Sequence, residues 1–255
     1  MNTTLIALAV LPVLILAYVV YKQDKIEKEP FGKLLKAFLM GCLAVVPAIA
    51  LESALTEFTP QIPLLKGAYT GFIVAGCSEE LCKLAMLYWA VWKSREFNEY
   101  FDGIVYACFV SLGFACVENI GYVTMQETFS EALSVGVIRS ILSVPGHFLF
   151  GVMMGYYFAL AKFIPGKKKD YLLKAFWVPM LWHGTFDSIL MVAEEFGENM
   201  EVIAGVLFIV FVVFDIKMWR WGVRRIKRLQ ELSNEQKDEQ NSLRLNPFEG
   251  FRWYI

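Results

Sequence analysis

Histidine is nearly absent from this sequence: only His147 and His183 occur among its 255 residues. There is no HExxH motif, so the helical zinc signature of many metalloproteases is excluded. There is also no basic run long enough to indicate nucleic-acid binding, so we expect no nucleic-acid partner.

Cysteine is scarce as well. The five cysteines are Cys42, Cys77, Cys82, Cys108 and Cys116. All of them lie in apolar segments, none has zinc-ribbon spacing, and none lies in a loop where a disulfide could hold a secreted fold. We interpret them as small, reduced residues of the core.

Apolar residues, by contrast, dominate the chain. Hydrophobic residues make up 57% of it, the mean hydropathy is +0.48 and the formal net charge is −1. This composition is typical of a polytopic membrane protein and not of a soluble globule. The expected fold class is therefore all-α, a bundle of membrane-spanning helices in a lipid bilayer.

Seven apolar segments are long enough to cross a bilayer. They cover residues 4–21, 33–55, 67–92, 101–123, 135–163, 171–193 and 202–221. No lysine or arginine precedes the first segment, so we interpret it as a spanning helix and not as a signal peptide. Basic loops alternate with loops poor in basic residues, which places the N-terminus outside and the C-terminus in the cytoplasm. We expect a transmembrane peptidase-like domain over 1–223 and a cytoplasmic polar tail over 224–255.

Two adjacent carboxylates and a lysine interrupt the third segment. A charge at the bilayer centre costs roughly 2.5–3.5 kcal/mol on insertion scales. The presence of Glu79, Glu80 and Lys83 in a spanning segment therefore indicates a structural or functional role. Their spacing lets Lys83 share a helix face with either glutamate. The glutamates point about 100° apart, and one lysine is not expected to neutralise both. The group is a candidate general base or metal ligand; the alternative is a buried ion pair that fixes helix packing.

Both histidines lie inside predicted spans, and each follows a proline. Pro145 and Pro179 each remove a helical hydrogen bond and free carbonyl groups that tend to line cavities. At a rise of about 1.5 Å per residue, Glu79 and His147 lie about 18 Å below the outer helix ends, and His183 lies about 14 Å below. We therefore expect these groups to converge on a cavity in the middle and outer half of the bilayer.

Further polar residues follow helical spacing in the same region. Asp187 is one turn after His183 and can hold the imidazole in one tautomer. Glu118 and Tyr122 have the same spacing, and Asn119 lies beside them. Together with Lys83, these three residues are candidates to bind substrate or line the cavity. For the three, the alternative is that they bond neighbouring helices to one another.

Such residues support two kinds of hydrolysis. In the first, Glu79 takes a proton from water that His147 helps to place. In the second, His147, His183 and Glu79 form a His₂Glu set that holds a divalent metal, zinc, with an open position for water. Either way the expected reaction is amide hydrolysis. A proton or ion pathway uses the same residue types, but the chain shows no internal repeat of the kind found in many transporters.

The motifs in combination carry a family resemblance. They are Glu79-Glu80-Leu81-Cys82-Lys83, Phe101–Tyr106 leading to Gly113–Tyr122, Pro145-Gly146-His147, His183-Gly184-Thr185-Phe186-Asp187 and Glu29-Pro30. On these residues the chain resembles the PrsW-type intramembrane proteases. Their superfamily also contains the CAAX prenyl proteases, the CPBP proteins and the APH-1 subunit of gamma-secretase.

The resemblance implies a helical membrane peptidase with roles for individual residues. Glu79 is the base, Glu80 supports it, His147 positions water and His183 faces the oxyanion. The prenyl proteases have Asn where this chain has Asp187. An ionised Asp cannot donate to an oxyanion, so Asp187 must be protonated or must orient His183 instead.

The resemblance also implies a partner and a location. The expected substrate is a membrane-anchored protein, and the PrsW-type role would be first-site cleavage of an anti-sigma factor. The expected location is the plasma membrane, specifically a bacterial inner membrane. Cleavage of lipidated substrates, as in CAAX proteases, and a non-catalytic scaffold role, as in APH-1, are the alternatives.

Overall fold

A computed structural model describes residues 3–197 and 201–245, and no strand occurs in these ranges. The helices are α1 (Thr3–Gln23), α2 (Phe31–Thr56), α3 (Pro63–Tyr69), a π-helical segment (Thr70–Cys77), α4 (Ser78–Val91), α5 (Asp102–Thr124), α6 (Phe129–Ile141), α7 (Ser143–Phe163), α8 (Lys168–Gly197) and α9 (Glu201–Leu245). The predicted all-α membrane bundle is confirmed.

Within the described ranges these helices form seven rods, one for each predicted span. The rod from α3 to α4 passes through the π segment without a break, and α6 and α7 are separated only by Leu142. Five of the rods are long and apolar enough to cross a membrane. The exceptions are the α3–α4 rod and α8, which carry the glutamate pair and the His183–Asp187 pair. The polar side chains of the candidate site lower the hydropathy of both rods.

Helices α5 and α7 form the centre of the bundle. Of the apolar stretch in α5, 78% is buried, against 17% in α1 and 11% in α9. Glycine allows α5 and α7 to cross closely, because a Cβ on Gly155 would clash with the backbone at Gly103. Small residues at helix contacts serve this purpose in membrane proteins, where dispersion contacts drive association. Helices α1 and α9 instead present aliphatic side chains outward, as lipid contact requires.

The π segment is a feature that hydropathy did not predict. The sequence reads as one regular helix over 67–92, yet the turns from Thr70 to Cys77 are π-helical and end just before Glu79. This segment packs tightly on α8: a Cβ on Gly76 would lie 3.1 Å from the Gly184 nitrogen. A π segment often marks a functional site because it changes the direction of the side chains that follow. Here it brings the glutamate pair against α8.

Two helix boundaries differ from the predicted ones by more than four residues. The rod containing α6 begins at Phe129 and not near residue 135, because Thr128 and Glu131 form a capping box with hydrogen bonds of 3.2 and 3.1 Å. Helix α9 continues past residue 221 to Leu245, into the part expected as a tail. Residues 246–255 of that tail lie outside the described ranges.

The polar half of α9 is held by the loops at the predicted cytoplasmic side. The Ser233 hydroxyl accepts a hydrogen bond of 2.9 Å from the Phe101 amide, and both residues are buried. The Gln236 side chain donates to the Asn98 carbonyl at 3.0 Å. A polar sequence therefore stays helical here because tertiary contacts hold it: these hydrogen bonds, and the packing of Ile226, Leu229 and Leu232 against the core.

Candidate active site

Helices α2, α4, α5, α7 and α8, together with the π segment and the end of α6, surround a cavity of about 570 Å³. Its polar wall includes Glu79, Glu118, His147, His183 and Asp187. The rest of the wall consists mostly of apolar side chains from the same helices. The groups expected to converge from distant parts of the sequence therefore do so.

Lys83 lies behind this wall and is fully buried. Its ammonium donates to Glu79 Oε2 at 2.9 Å, to Glu80 Oε1 at 2.8 Å and to His147 Nδ1 at 3.0 Å. It also lies 4.3 Å from the centre of the Phe114 ring. An ammonium has three protons to donate, so all of them are used within the protein.

The Lys83 contact fixes the tautomer of His147. Because the ammonium can only donate, His147 Nδ1 must accept and Nε2 carries the proton. Nε2 lies 2.8 Å from Glu118 Oε2, to which it donates. Both ring nitrogens of His147 are thus occupied by protein groups.

Glu118 is also paired with a cation on the other side. Arg139 Nη2 lies 3.0 Å from Glu118 Oε2. The Nε of the same arginine donates to Asn119 Oδ1 at 2.8 Å, and the guanidinium lies 4.0 Å from the centre of the Tyr122 ring. A continuous polar network therefore runs from α6 through α5 and α7 to Lys83 on α4.

His183 lies between carboxylates. Its Nδ1 is 2.9 Å from Glu80 Oε1, and its Nε2 is 3.1 Å from Asp187 Oδ2 and 3.9 Å from Glu79 Oε2. The ring stacks on Phe150 with centroids 4.5 Å apart. This geometry suits the doubly protonated ring, in which each nitrogen donates to a carboxylate.

The two glutamates of the pair have different surroundings. Glu79 lines the cavity, and its Oε1 makes no hydrogen bond with any described residue. Glu80 has no exposed side-chain surface and does not line the cavity. Only Glu79 can therefore reach a water molecule or a substrate in the cavity directly.

Two groups of ligand atoms are spaced to hold a metal ion: Glu79 with Glu80 and His183, and Glu79 with Glu118 and His147. In each group the ligand atoms lie within 4.8 Å of one another. Carboxylate and imidazole are donors that zinc accepts, and zinc binding releases the proton or contact that occupies the ligand nitrogen of a histidine, so the residues fit such an ion. The expected His₂Glu set is not gathered within that distance among the described residues. Each group instead has one histidine, although the two imidazole rings lie edge to face with centroids 5.4 Å apart.

Comparison with known proteins identifies the family. The family model described as PrsW family intramembrane metalloprotease matches residues 29–216. The chain belongs to this family. The match covers every residue of the cavity wall named above, and it confirms the resemblance seen in the sequence motifs.

Curated relatives carry the name Protease PrsW. The one from Clostridioides difficile strain 630 is 35% identical, and the match covers 92% of this chain and 95% of the relative. The one from Geobacillus kaustophilus strain HTA426 is 32% identical over 91% of this chain and 95% of its own length. The one from Bacillus subtilis strain 168 is 29% identical, with 91% and 98% covered. No solved structure gives a significant match. This PrsW family member is a membrane-embedded peptidase, and its environment is a lipid bilayer.

The structure places the predicted site residues in three positions. Glu79, His147, His183, Asp187, Glu118 and Tyr122 line the cavity. Glu80 and Lys83 lie directly behind them, so Lys83, expected as a lining residue, contacts the wall only from behind. Asn119 does not reach the cavity either: it is buried and donates to the Ala9 carbonyl at 3.4 Å.

Sequence reasoning missed two charged residues of this PrsW family cavity. Arg139 and Glu52 both line it. Each is an ionisable residue inside an apolar segment, and that feature alone is a sufficient signal for a functional position in a membrane helix. Glu52 escaped notice because it lies near the end of its segment, where a charge is expected to reach the interface.

Proposed function

We propose that this PrsW family member hydrolyses a peptide bond of a membrane-anchored protein with water activated by Glu79. The observation that carries the proposal is the position of Glu79 at the cavity wall, with one oxygen bonded to Lys83 and the other free. A carboxylate held this way has a fixed orientation and an open lone pair. It can take a proton from water as that water attacks the carbonyl carbon.

Glu80 and Lys83 support the base without touching the substrate. The Lys83 ammonium joins the two carboxylates, so it compensates charge that burial would otherwise penalise. Glu80 also accepts from His183 Nδ1 at 2.9 Å and so orients the ring from behind the wall. Both residues are positioning residues for groups that line the cavity.

His183 is the group we assign to the oxyanion. Its Nε2 points to the part of the cavity where Asp187 and Glu79 lie. A donor held in place before the reaction stabilises the negative charge that develops on the carbonyl oxygen. Without substrate, Asp187 accepts from the same nitrogen. In this proposal the oxyanion takes over that proton as its acceptor, and the Asp187 carboxylate orients the ring and favours its protonated form.

The role of His147 follows from its occupied nitrogens. Since Nδ1 accepts from Lys83 and Nε2 donates to Glu118, neither is free to hold the attacking water. We assign His147 to positioning: it links Lys83 to the Glu118–Arg139 pair and so holds the ammonium beside Glu79.

The family description includes a metal, and the donor set suits zinc. Glu79 would be a ligand in either group, with Glu80 and His183 or with Glu118 and His147. When bound, the ion would lower the pKa of a water molecule and polarise the carbonyl. With an ion bound, Glu79 would hold it, so the proton transfer assigned to Glu79 above applies to the metal-free site.

The substrate and location follow from the family resemblance. We propose a membrane-anchored anti-sigma factor, cleaved at its first site, in the plasma membrane of a bacterium. The bacterial sources of the PrsW relatives support the location. The cavity, which polar groups line in a membrane-spanning bundle, supports a substrate that is itself tethered to the bilayer.

The test is co-expression with a single-span anti-sigma factor carrying tags at both ends. Wild-type protein should give the cleaved fragment, and Glu79→Gln should leave the substrate intact. Glu57→Gln is the matched control, since Glu57 is exposed at the end of α2. Thermal melting shows that the variants are folded. Cleavage at the wild-type rate by Glu79→Gln would contradict the assignment of the base.

A further inference from the structure

The cavity has a carboxylate that the proposed chemistry does not use. Glu52 lies on α2 and shares a face with Val45 and Ile49, and all three side chains line the cavity. Glu52 is one turn from the end of the helix, about 6 Å below it at the usual rise. The carboxylate is therefore at the mouth of the cavity on the predicted outer side.

Glu52 differs from the other carboxylates around the cavity in having no partner. Lys83 pairs with Glu79 and Glu80, and His183 pairs with Asp187. Glu118 is paired with Arg139 and His147. Among the described residues, no side chain forms a hydrogen bond or an ion pair with the carboxylate of Glu52.

The nearby cations are not available to neutralise it. Lys83 and His183 are the positive groups that act most strongly on Glu52. All three protons of Lys83 and both nitrogens of His183 already contact other groups. Glu118 and Asp187 add negative charge to the same region. The Glu52 carboxylate thus remains an open acceptor.

The charge around the cavity is unbalanced. Five carboxylates, Glu52, Glu79, Glu80, Glu118 and Asp187, face three cations, Lys83, Arg139 and protonated His183. In a low-dielectric environment a net negative cavity attracts positive charge strongly. Glu52 is the carboxylate left to receive it.

We propose that Glu52 is a specificity-determining residue that binds a lysine or arginine side chain of the substrate near the bond to be cleaved. Val45 and Ile49 offer the apolar surface that the aliphatic stem of such a side chain covers. Glu52 is in neither group of candidate metal ligands, which favours an organic cation over a metal ion. This inference rests on the proposed function, because it assumes that the substrate enters this cavity.

The test measures binding without cleavage. Single-span peptides of leucine and alanine, identical except for one lysine or glutamine at successive positions near one end, are titrated into nanodiscs containing the Glu79→Gln protein. At one or more positions we expect the lysine peptide to bind about tenfold more tightly, as a charge-assisted hydrogen bond predicts. Adding Glu52→Gln should remove that difference, whereas the exposed-site control Glu57→Gln should keep it.

Two further results decide the inference. Glu52→Lys should reverse the preference, so that a peptide with glutamate binds more tightly than one with lysine. Equal binding of lysine and glutamine peptides at every position, or an unchanged preference in Glu52→Gln, would overturn the inference. Mass spectrometry of the same samples separates the two proposals. Peptide cleaved by the Glu79→Gln protein would refute the assignment of Glu79 as the base, whereas the ratio of lysine-peptide to glutamine-peptide binding would still test the role of Glu52.

Discussion

The ammonium of Lys83 lies 3.0 Å from Nδ1 of His147. This contact joins two residues that are 64 positions apart, and it sets the protonation pattern of the whole site. Because Lys83 donates to Nδ1, His147 carries its proton on Nε2 and donates it to Glu118. The same ammonium also bonds Glu79 and Glu80 and compensates their negative charge.

Removing the Lys83 cation should destabilise the fold. Lys83→Met leaves Glu79 and Glu80 buried without their counter-charge, which typically costs about 3–5 kcal/mol. We expect a lower thermal midpoint and loss of the monodisperse peak in detergent. The double variant Lys83→Met with Glu80→Gln should recover part of the loss, since one buried charge is removed. A single variant as stable as wild type would mean that the buried network is not required for folding.

The Asp187 carboxylate should act through His183. Asp187→Asn keeps an acceptor for Nε2 but removes the negative charge that favours the protonated ring. We expect kcat to fall about 10–100-fold, as for other carboxylates that orient a histidine, with KM little changed. Asp187→Ala should lose more. Equal or higher activity of the asparagine variant would instead indicate that this position donates a hydrogen bond, as the Asn of the prenyl proteases would.

Arg139 should matter although it was not among the residues singled out from sequence. Its guanidinium pairs with Glu118 and bonds Asn119, so Arg139→Gln weakens the support of His147. We expect kcat/KM to fall about tenfold, the effect of losing one charge-assisted contact. Arg139→Lys should restore part of the rate because it keeps the positive charge beside Glu118. The rescue should be incomplete, since lysine cannot contact Glu118 and Asn119 with the geometry of a guanidinium. No rescue by lysine would point to a packing role on Tyr122.

Metal content should depend on Glu79, because Glu79 belongs to both candidate groups. We expect zinc measured on the purified protein to be lost in Glu79→Ala. The histidine variants then identify the group: loss only in His183→Ala assigns Glu80 and His183, and loss only in His147→Ala assigns Glu118 and His147. Zinc that remains in Glu79→Ala would exclude both groups.

The loops at the predicted cytoplasmic side should stabilise the fold more strongly as pH falls. Burial, together with the charges of Asp24 and Glu27, raises the pKa of Glu99 to about 7. Burial and the nearby Asp24 raise the pKa of Glu29 to about 7 as well. Each group then binds its proton more tightly in the folded state, so stability rises from about pH 7 down to about pH 4.5.

Melting curves between pH 8 and pH 5.5 test this expectation. The midpoint of the wild type should increase over that range, and Glu99→Gln should make the curve less steep because it removes one of the titrations that stabilise the fold at low pH. Glu57→Gln, at an exposed position away from these loops, should leave the pH dependence unchanged. A wild-type midpoint that decreases towards pH 5.5 would contradict the raised pKa values.

Much of this protein could be predicted from its sequence. Long apolar runs leave a chain no alternative to membrane helices, because backbone groups in lipid must bond within the segment. The cost of burying charge made Glu79, Glu80 and Lys83 conspicuous, and helical spacing paired His183 with Asp187. The same arguments applied to every ionisable residue in a span would have included Arg139 and Glu52.

The arrangement of these residues was decided only by the tertiary structure. Sequence spacing cannot show that Lys83 donates to His147, since helix packing brings α4 and α7 together. For the same reason it could not show that Glu79 faces the cavity while Glu80 lies behind it, or that the histidines belong to separate ligand groups. The π segment and the extension of α9 also depend on contacts with distant helices and loops. Hydropathy and periodicity report the environment of a residue along its own helix, whereas the site is built from side chains that meet across several helices.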